Sequence, residues 1–200
     1  MVNKRIRIDH KIICRMVKPG SKVLDLGCGD GELLRLLADE KQALVQGIEL
    51  DEKEIYQCVE KGVSVFHGDI EAGLIGYPDR SFDYVIMNQS MQETKNLTFV
   101  VDEALRVGEK AIIGFPNFAH YRARLRLFFE GKTPMTPSLP NRWYSTPNLH
   151  FLTLTDFDDF CRERNIRILE RHFLAADKKV TLFPNLFALN GLFMVESKKS

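Results

Sequence analysis

Residues 23–40 read VLDLGCGDGELLRLLADE and join two different patterns. Residues 23–26 form a short apolar run that contains one carboxylate, Asp25. Gly27, Gly29 and Gly31 follow at alternate positions, and leucines then recur with a helical period. This order predicts a strand, a tight turn and a helix. The strand therefore ends beside a carboxylate and a stretch of backbone with little side-chain bulk.

The alternation of strand and helix patterns continues along the chain. Further strands are predicted at residues 43–49, 63–66, 82–87, 110–115, 166–174 and 191–196, and further helices at 52–61, 97–107, 120–129 and 155–165. Strands that alternate with helices favour a parallel sheet covered on both faces. We expect a single α/β domain over residues 1–200, doubly wound around a mostly parallel seven-stranded sheet.

Residues 116–154 interrupt this rhythm. They contain five of the eight prolines and the aromatic-containing stretch RWYSTPNLHF. Long connections in compact domains are usually functional or disordered, and the aromatic side chains favour a packed segment. We expect a lid-like insertion after the fifth strand.

Composition and charge exclude several classes of protein. Hydrophobic residues make up 44% and charged residues 28% of the chain, as in an ordinary globular domain. A net charge of +1 provides no global attraction to nucleic acid or acidic membranes, and no apolar run approaches the length of a bilayer span. The basic start of the chain lacks the pattern of a signal peptide, and the four cysteines lack metal-ligand spacing. We expect a cytoplasmic protein without a metal site, a membrane span or a nucleic-acid partner.

The spacing of the glycines indicates the kind of ligand. A dinucleotide fingerprint has the spacing GxGxxG and places a pyrophosphate on the helix N-terminus. Here the spacing is GxGxG, and Asp25 lies two residues before Gly27, where its charge would repel a pyrophosphate. An ammonium or sulfonium group would be attracted instead. The plainer interpretation, a tight turn without a ligand, leaves the carboxylate unexplained.

The stretch VLDLGCGDG resembles motif I of the class I S-adenosylmethionine-dependent methyltransferases, which have a Rossmann-like fold. The resemblance implies that the acidic residue of the motif orients the amino-acid end of S-adenosyl-L-methionine or S-adenosyl-L-homocysteine, while the glycines allow close approach. The implied ligand-binding residues are Asp25, Gly27, Cys28, Gly29, Gly31, Glu49, Leu50, Asp69, Ile70 and Asn88.

The later residues of that set follow predicted strands in order. By the same resemblance, Glu49 accepts hydrogen bonds from the ribose hydroxyls and Asp69 receives the adenine amino group, although Gly-Asp is also an ordinary turn. Leu50 and Ile70 are expected to enclose the adenine ring. Asn88 is expected to line the methionine moiety.

The C-terminal half resembles a narrower group. The stretches FPNFAHYRARLRLFFEGKTPMT and WYSTPNLHFLTLTDFDDFC are similar to the MetW family of methionine-biosynthesis proteins. This resemblance extends over about residues 4–196 and implies homoserine O-acetyltransferase as a partner. The candidate substrate- or partner-binding residues are Asn117, Tyr121, Arg122, Trp143, Tyr144 and His150.

These residues also have plainer interpretations. Arg122 and Arg126 are neighbours on one helix face, where they hold an anion or lie solvated over buried stems. Trp143 and Tyr144 anchor an interface or pack as a lid. His150 is a base or a hydrogen-bonded structural histidine.

Two functions follow from this sequence. The first is a regulatory or scaffold protein that binds S-adenosylmethionine and contacts the acetyltransferase. The second is an active methyltransferase that acts on an unidentified small molecule. Residues 88–93, NQSMQE, carry no NPPY-like motif, so the sequence assigns no catalytic residue. A dinucleotide-dependent oxidoreductase is disfavoured by the glycine spacing.

Overall fold

Helices and strands alternate through the computed structural model, which describes residues 6–176 and 178–198. The helices are Ile8–Met16 (α1), Glu32–Lys41 (α2), Glu52–Glu60 (α3), Leu97–Val107 (α4), Tyr121–Glu130 (α5), Leu154–Glu163 (α6) and Pro184–Phe187 (α7). The strands are Lys22–Leu26 (β1), Leu44–Glu49 (β2), Val65–His67 (β3), Phe82–Asn88 (β4), Gly108–Pro116 (β5), Ile166–Ala175 (β6), Lys178–Lys179 (β7) and Asn190–Ser197 (β8).

All the strands join one sheet in the order β3-β2-β1-β4-β5-β8-β6-β7. The first five are mutually parallel, and β8 runs antiparallel to both β5 and β6. The mostly parallel, doubly wound α/β sheet is therefore confirmed, but the described residues form eight strands and not seven. The additional strand, β7, consists of two residues paired with Leu174 and Ala175, which is too short to produce a periodic pattern.

The strand order reverses at β1. This strand lies between β2 and β4, with Asp25 in register with Gly47 on one side and Ile86 on the other. In open α/β sheets the connections diverge at such a point and leave a crevice outside the carboxyl ends of the strands. The glycine-rich turn after β1 therefore borders the crevice.

Helix α1 precedes the first strand and was not predicted from the sequence. Ile12, Ile13 and Met16 are buried on its inner side, where they pack with the α2 residues Leu33 and Leu37. Basic residues interleave with the apolar ones in this segment, which obscures the helical period. Its position brings Arg7 and His10 to the crevice beside β1.

Part of the 116–154 segment is folded onto the domain. After α5 the chain continues without regular structure, and Pro134, Thr136 and Leu139 are buried within this stretch. Thr136 and Leu139 close a tight turn through reciprocal backbone hydrogen bonds of 3.0 Å. The expected helix is present as α5. The aromatic stretch after it is not packed as expected, because the Trp, Tyr and Phe side chains of residues 142–151 are exposed.

No helix within residues 6–176 and 178–198 is long and apolar enough to cross a bilayer. Across these same residues, no three His, Cys, Asp or Glu side chains lie close enough together to hold a metal ion.

Three phenylalanines form the centre of the core beside β5 and β8. The ring of Phe157 on α6 lies 5.1 Å from that of Phe115 and 4.7 Å from that of Phe193, measured between centroids. All three are fully buried. They fix α6 against the antiparallel part of the sheet.

We predict that Phe157→Ala lowers the free energy of unfolding by about 3–5 kcal/mol, because it leaves a cavity among packed rings. Phe128→Ala is the matched control, since Phe128 is 82% exposed on α5, and it should change the free energy by less than about 0.5 kcal/mol. Urea denaturation of the variants measures both values. Equal effects at the two positions would contradict the assigned core.

Candidate functional site

The turn after β1 requires glycine at two of its positions. Gly27 has φ 74°, and a Cβ there would lie 2.7 Å from Cβ of Ser90. Gly31, the N-cap of α2, has φ 72°, and a Cβ there would lie 2.8 Å from Sγ of Cys58. Both positions combine a left-handed backbone with a close neighbour, so a larger residue would displace the turn.

Asp25 is buried at the end of β1. Asp25 is 2% exposed, and its Oδ1 accepts no hydrogen bond from the described residues. Burial raises the pKa of Asp25 well above its ordinary value, and the negative charge of Glu49 raises it further. A buried carboxylate oxygen without a donor is suited to a ligand that carries N–H donors or a positive charge.

A second buried aspartate nearby is in the opposite situation. Asp9 on α1 accepts a 2.9 Å hydrogen bond from Nδ2 of Asn88 and forms a 2.6 Å ion pair with Arg7. Burial would raise the pKa of Asp9, but the bonds from Asn88 and Arg7 outweigh it and leave that pKa below its ordinary value. Since the charge of Asp9 is already compensated, Asp25 is the better candidate for contact with a cationic ligand.

Glu49 ends β2 and organises the neighbouring turns. Its Oε2 accepts a hydrogen bond from the backbone N–H of Gly29 at 2.8 Å. Its Oε1 accepts from the N–H groups of Leu50 at 2.8 Å and Asp51 at 3.0 Å. A carboxylate has about four acceptor positions, so one remains for a ligand hydroxyl in this arrangement.

Two adjoining cavities surround the glycine turn, and both are lined by Gly27 and Gly29. The larger has a volume of about 490 Å³ and is also lined by Ile48, Glu49, Leu50, Gly68, Asp69, Ile70, Glu71, Gln89, Ser90, Glu93, Thr94 and Lys95. The smaller has a volume of about 280 Å³ and is also lined by Arg7, His10, Asp25, Cys28, Asp30, Leu33, Glu54 and Asn88. Of the expected ligand-binding residues, Gly31 alone lines neither cavity and instead begins α2.

The polar and apolar groups of the larger cavity lie at the ends of β2 and β3. Asp69 is exposed, and its Oδ1 accepts a 2.8 Å hydrogen bond from the N–H of Glu71. Leu50 is exposed, whereas Ile70 packs partly against the core. Glu49 and Asp69 are two of the four carboxyl groups that line this cavity, and Leu50 and Ile70 are two of its three aliphatic side chains. Such a lining suits a flat polar ring joined to a diol.

Cys28 is a packing residue of the turn. Its Sγ lies 3.9 Å from Sγ of Cys58, whose thiol donates to the carbonyl of Gly29. Burial, followed by the charge of Asp25, raises the pKa of the Cys28 thiol far above its ordinary value. The thiol is thus neutral and unsuited to nucleophilic attack.

Two of the candidates in the C-terminal half have structural hydrogen bonds. Asn117 is fully buried, and its Nδ2 donates to the carbonyls of Asn185 at 3.1 Å and Ala188 at 2.9 Å. The structure therefore differs from the expectation that Asn117 contacts a substrate or partner. His150 donates from Nε2 to the carbonyl of Thr94 at 2.9 Å, which attaches the insertion to the loop after β4.

The other candidates lie on the surface away from both cavities. Arg122 is exposed and donates to the hydroxyl of the half-buried Tyr121 at 3.1 Å. Trp143 and Tyr144 are exposed and contact each other edge to face at 5.6 Å between centroids. No described residue of the 117–153 range lines either cavity. In this structure the insertion borders these two cavities, which together we call the ligand cleft, and does not cover them.

Arg7, His10 and Glu93 are among the cavity-lining residues that the sequence did not predict. Arg7, the N-cap of α1, and His10 within that helix line the smaller cavity, and burial lowers the pKa of His10, so its imidazole is neutral near pH 7. Glu93 lines the larger cavity, and burial together with the charge of Glu49 raises its pKa. The stretch NQSMQE contained Glu93, but nothing in the sequence brought α1 to the cleft.

Comparison with known proteins identifies the family. The family model for "Methionine biosynthesis protein MetW" matches residues 7–195. The "Bifunctional methionine biosynthesis protein MetXA/MetW" of Rhodopirellula baltica is 33% identical over 189 residues, covering 90% of this chain. That stretch is 30% of the relative's own length, so this chain spans less than a third of it.

Solved structures identify the fold. A putative methyltransferase of Haloferax volcanii, in complex with the Trm112 methyltransferase activator, has a TM-score of 0.67 at 17% identity, covering 97% of this chain and 91% of that one. An S-adenosylmethionine-dependent methyltransferase of Mesorhizobium loti has a TM-score of 0.66 at 20% identity, covering 92% and 95%. The expected class I methyltransferase fold is thereby confirmed.

The raised pKa of Asp25 predicts a dependence of stability on pH. The folded protein binds this proton more tightly than the unfolded chain, so Asp25 lowers the free energy of unfolding as pH rises above its ordinary pKa of 3.8. We predict that Asp25→Asn stabilises the ligand-free protein relative to wild type, with a difference that grows as pH rises from 4 toward neutrality.

Urea denaturation across this pH range measures the difference, and Glu60→Gln on the exposed face of α3 is the control. A difference in the free energy of unfolding between Asp25→Asn and wild type that does not change with pH, or that falls as pH rises, would show that burial does not raise the pKa of Asp25.

Proposed function

Because this chain belongs to the MetW family, we propose that it binds S-adenosyl-L-methionine or S-adenosyl-L-homocysteine and acts in methionine biosynthesis with homoserine O-acetyltransferase. The observation that carries the ligand assignment is the buried Asp25 carboxylate beside the glycine turn, whose Oδ1 has no donor in the part of the chain that the structure describes. Both ligands carry an α-ammonium group, which supplies donors and a positive charge together.

The two cavities match the two ends of such a ligand. The amino-acid end fits the smaller cavity, where Asp25 would hold the ammonium group and Arg7 the carboxylate. The adenosine end fits the larger cavity, with Glu49 for the ribose and Asp69 for the adenine amino group. Gly27 lines both cavities, so a ligand that spans them would pass close to its backbone.

The partner assignment is supported by the composition of the Rhodopirellula relative. Its name joins MetXA and MetW in a single chain, of which the MetW-like stretch is 30%. Joining two proteins in one chain raises the effective concentration of each for the other to about the millimolar range. Such an arrangement favours partners that work in contact, and the resemblance to the MetW family implies homoserine O-acetyltransferase in that role.

An active methyltransferase is the second candidate, and Glu93 favours it. This carboxyl group lines the larger cavity, and burial together with the charge of Glu49 raises its pKa, as is common for carboxyl groups that act as general bases. S-adenosylmethionine supplies an activated methyl group. The protein would then position the acceptor and remove a proton from it at a carboxyl oxygen of Glu93.

One experiment separates the two candidates. The purified protein is mixed with methyl-labelled S-adenosylmethionine and metabolites of the methionine pathway, and label transfer is followed. Capture of purified homoserine O-acetyltransferase is measured in parallel. We expect ligand binding and capture without transfer. Transfer to a defined acceptor, abolished in Glu93→Gln, would establish the enzyme instead, and absence of ligand binding would refute both.

We predict that Glu49→Ala weakens binding of S-adenosylhomocysteine by about 1.5–3 kcal/mol, because a hydrogen bond to a charged group is lost. Isothermal titration calorimetry measures the change, and Glu60→Ala, exposed on α3, should bind as wild type does. Circular dichroism checks that the turn-organising role of Glu49 has not caused unfolding. Unchanged affinity in a folded Glu49→Ala variant would remove this residue from the site.

A further inference from the structure

Two neighbouring pairs of aromatic side chains are largely exposed on α5 and the irregular stretch that follows it. Phe128 is 82% and Phe129 74% exposed, and Trp143 is 72% and Tyr144 63% exposed. Each pair packs ring edge to ring face, at 4.9 Å for the phenylalanines and 5.6 Å for Trp143 and Tyr144. Neighbouring aromatics that contact each other at the surface are typical of a protein interaction site.

A concavity lies between the end of α5 and this aromatic stretch. Its volume is about 620 Å³, and its lining residues are Arg126, Gly131, Lys132, Thr133, Met135, Arg142, Trp143 and Tyr144. We call these residues, together with Phe128 and Phe129, the basic–aromatic surface. The hollow can receive a side chain that projects from a partner.

Three basic residues, Arg126, Lys132 and Arg142, line the hollow. Residues 117–151 contain five arginine and lysine residues and one acidic residue, a net charge of +4, whereas the whole chain carries +1. The acidic residue, Glu130, lies 3.7 Å from Arg126 and 4.0 Å from Lys132. The Nε atom of Arg126 is buried and donates no hydrogen bond to the described residues. The surface is therefore complementary to carboxylates around an apolar centre.

The same segment is bonded to the loop that borders the ligand cleft. The N–H groups of Leu149 and His150 both donate to the carbonyl of Gln92, at 2.9 and 3.0 Å. The side chain of His150 donates to the carbonyl of Thr94, which lines the larger cavity. A partner on the basic–aromatic surface would thus contact a segment attached directly to the cleft.

We propose that the basic–aromatic surface is the docking site for homoserine O-acetyltransferase, through an apolar projection rimmed by Asp and Glu. This inference rests on the proposed function, which supplies the partner. The presence of MetXA and MetW in one relative favours a protein over other occupants. The concave shape favours an inserted side chain, whereas a membrane-binding surface inserts its apolar residues outward into lipid.

The test measures the affinity of purified wild-type protein and surface variants for purified homoserine O-acetyltransferase by biolayer interferometry. Trp143→Ala should weaken binding by about 30-fold, as expected for an interfacial aromatic anchor. The double variant Arg126→Glu/Arg142→Glu should weaken it by about tenfold or more, mainly through slower association, with a smaller loss at high salt.

The matched control, Lys178→Glu/Lys179→Glu, reverses two charges on β7 at the edge of the sheet and should bind as wild type does. All variants should retain their affinity for S-adenosylhomocysteine, which shows that they are folded. Wild-type protein that does not bind the acetyltransferase would refute the partnership in the proposed function. Wild-type binding that every surface variant retains would refute the docking site alone.

Two other occupants are tested with the same variants. Vesicles of phosphatidylglycerol and phosphatidylcholine test a membrane, and sedimentation of the protein alone tests a second copy. Loss of vesicle binding or self-association in the variants, with acetyltransferase binding unchanged, would overturn the proposal.

Discussion

Burial of the Asp25 carboxylate is the constraint on which the ligand cleft depends. A carboxylate in the centre of a sheet costs several kcal/mol unless donors compensate it, and Oδ1 of Asp25 has no donor within residues 6–176 and 178–198. Asp25 is held in this position because β1 lies inside the sheet, where its pairing with β2 and β4 fixes its register. Asp9, which is also buried but is paired, shows that this fold can compensate a carboxylate with its own donors.

Backbone hydrogen bonds connect the ligand cleft with the segment that carries the basic–aromatic surface. The backbone of residues 149 and 150 is bonded to the loop after β4, and that loop lines the larger cavity. A ligand that orders this loop would thereby alter a segment continuous with the basic–aromatic surface. Coupling of this kind is reciprocal, so the partner's affinity and the ligand's affinity would change by the same factor.

The sequence predicted the parts whose patterns are strong and local. The glycine turn and the acids at the strand ends, Asp25, Glu49 and Asp69, lie around adjoining cavities because parallel strands end at one edge of the sheet. The two-residue strand β7 has no periodicity to detect. Helix α1 and Glu93 reach the cleft through tertiary packing, and Asn117 is satisfied by carbonyls about 70 residues away along the chain. Such contacts cannot be inferred from local sequence.

The most direct test of the account is the titration of the Asp25 side-chain carbon by ¹³C nuclear magnetic resonance, with and without S-adenosylhomocysteine. In the free protein burial should hold the pKa of Asp25 above its ordinary value, as described. The ligand's ammonium group should then lower it, because an adjacent positive charge favours the ionised form. An Asp25 pKa that is unchanged by saturating ligand would contradict the claim that this carboxylate is buried for a cationic group.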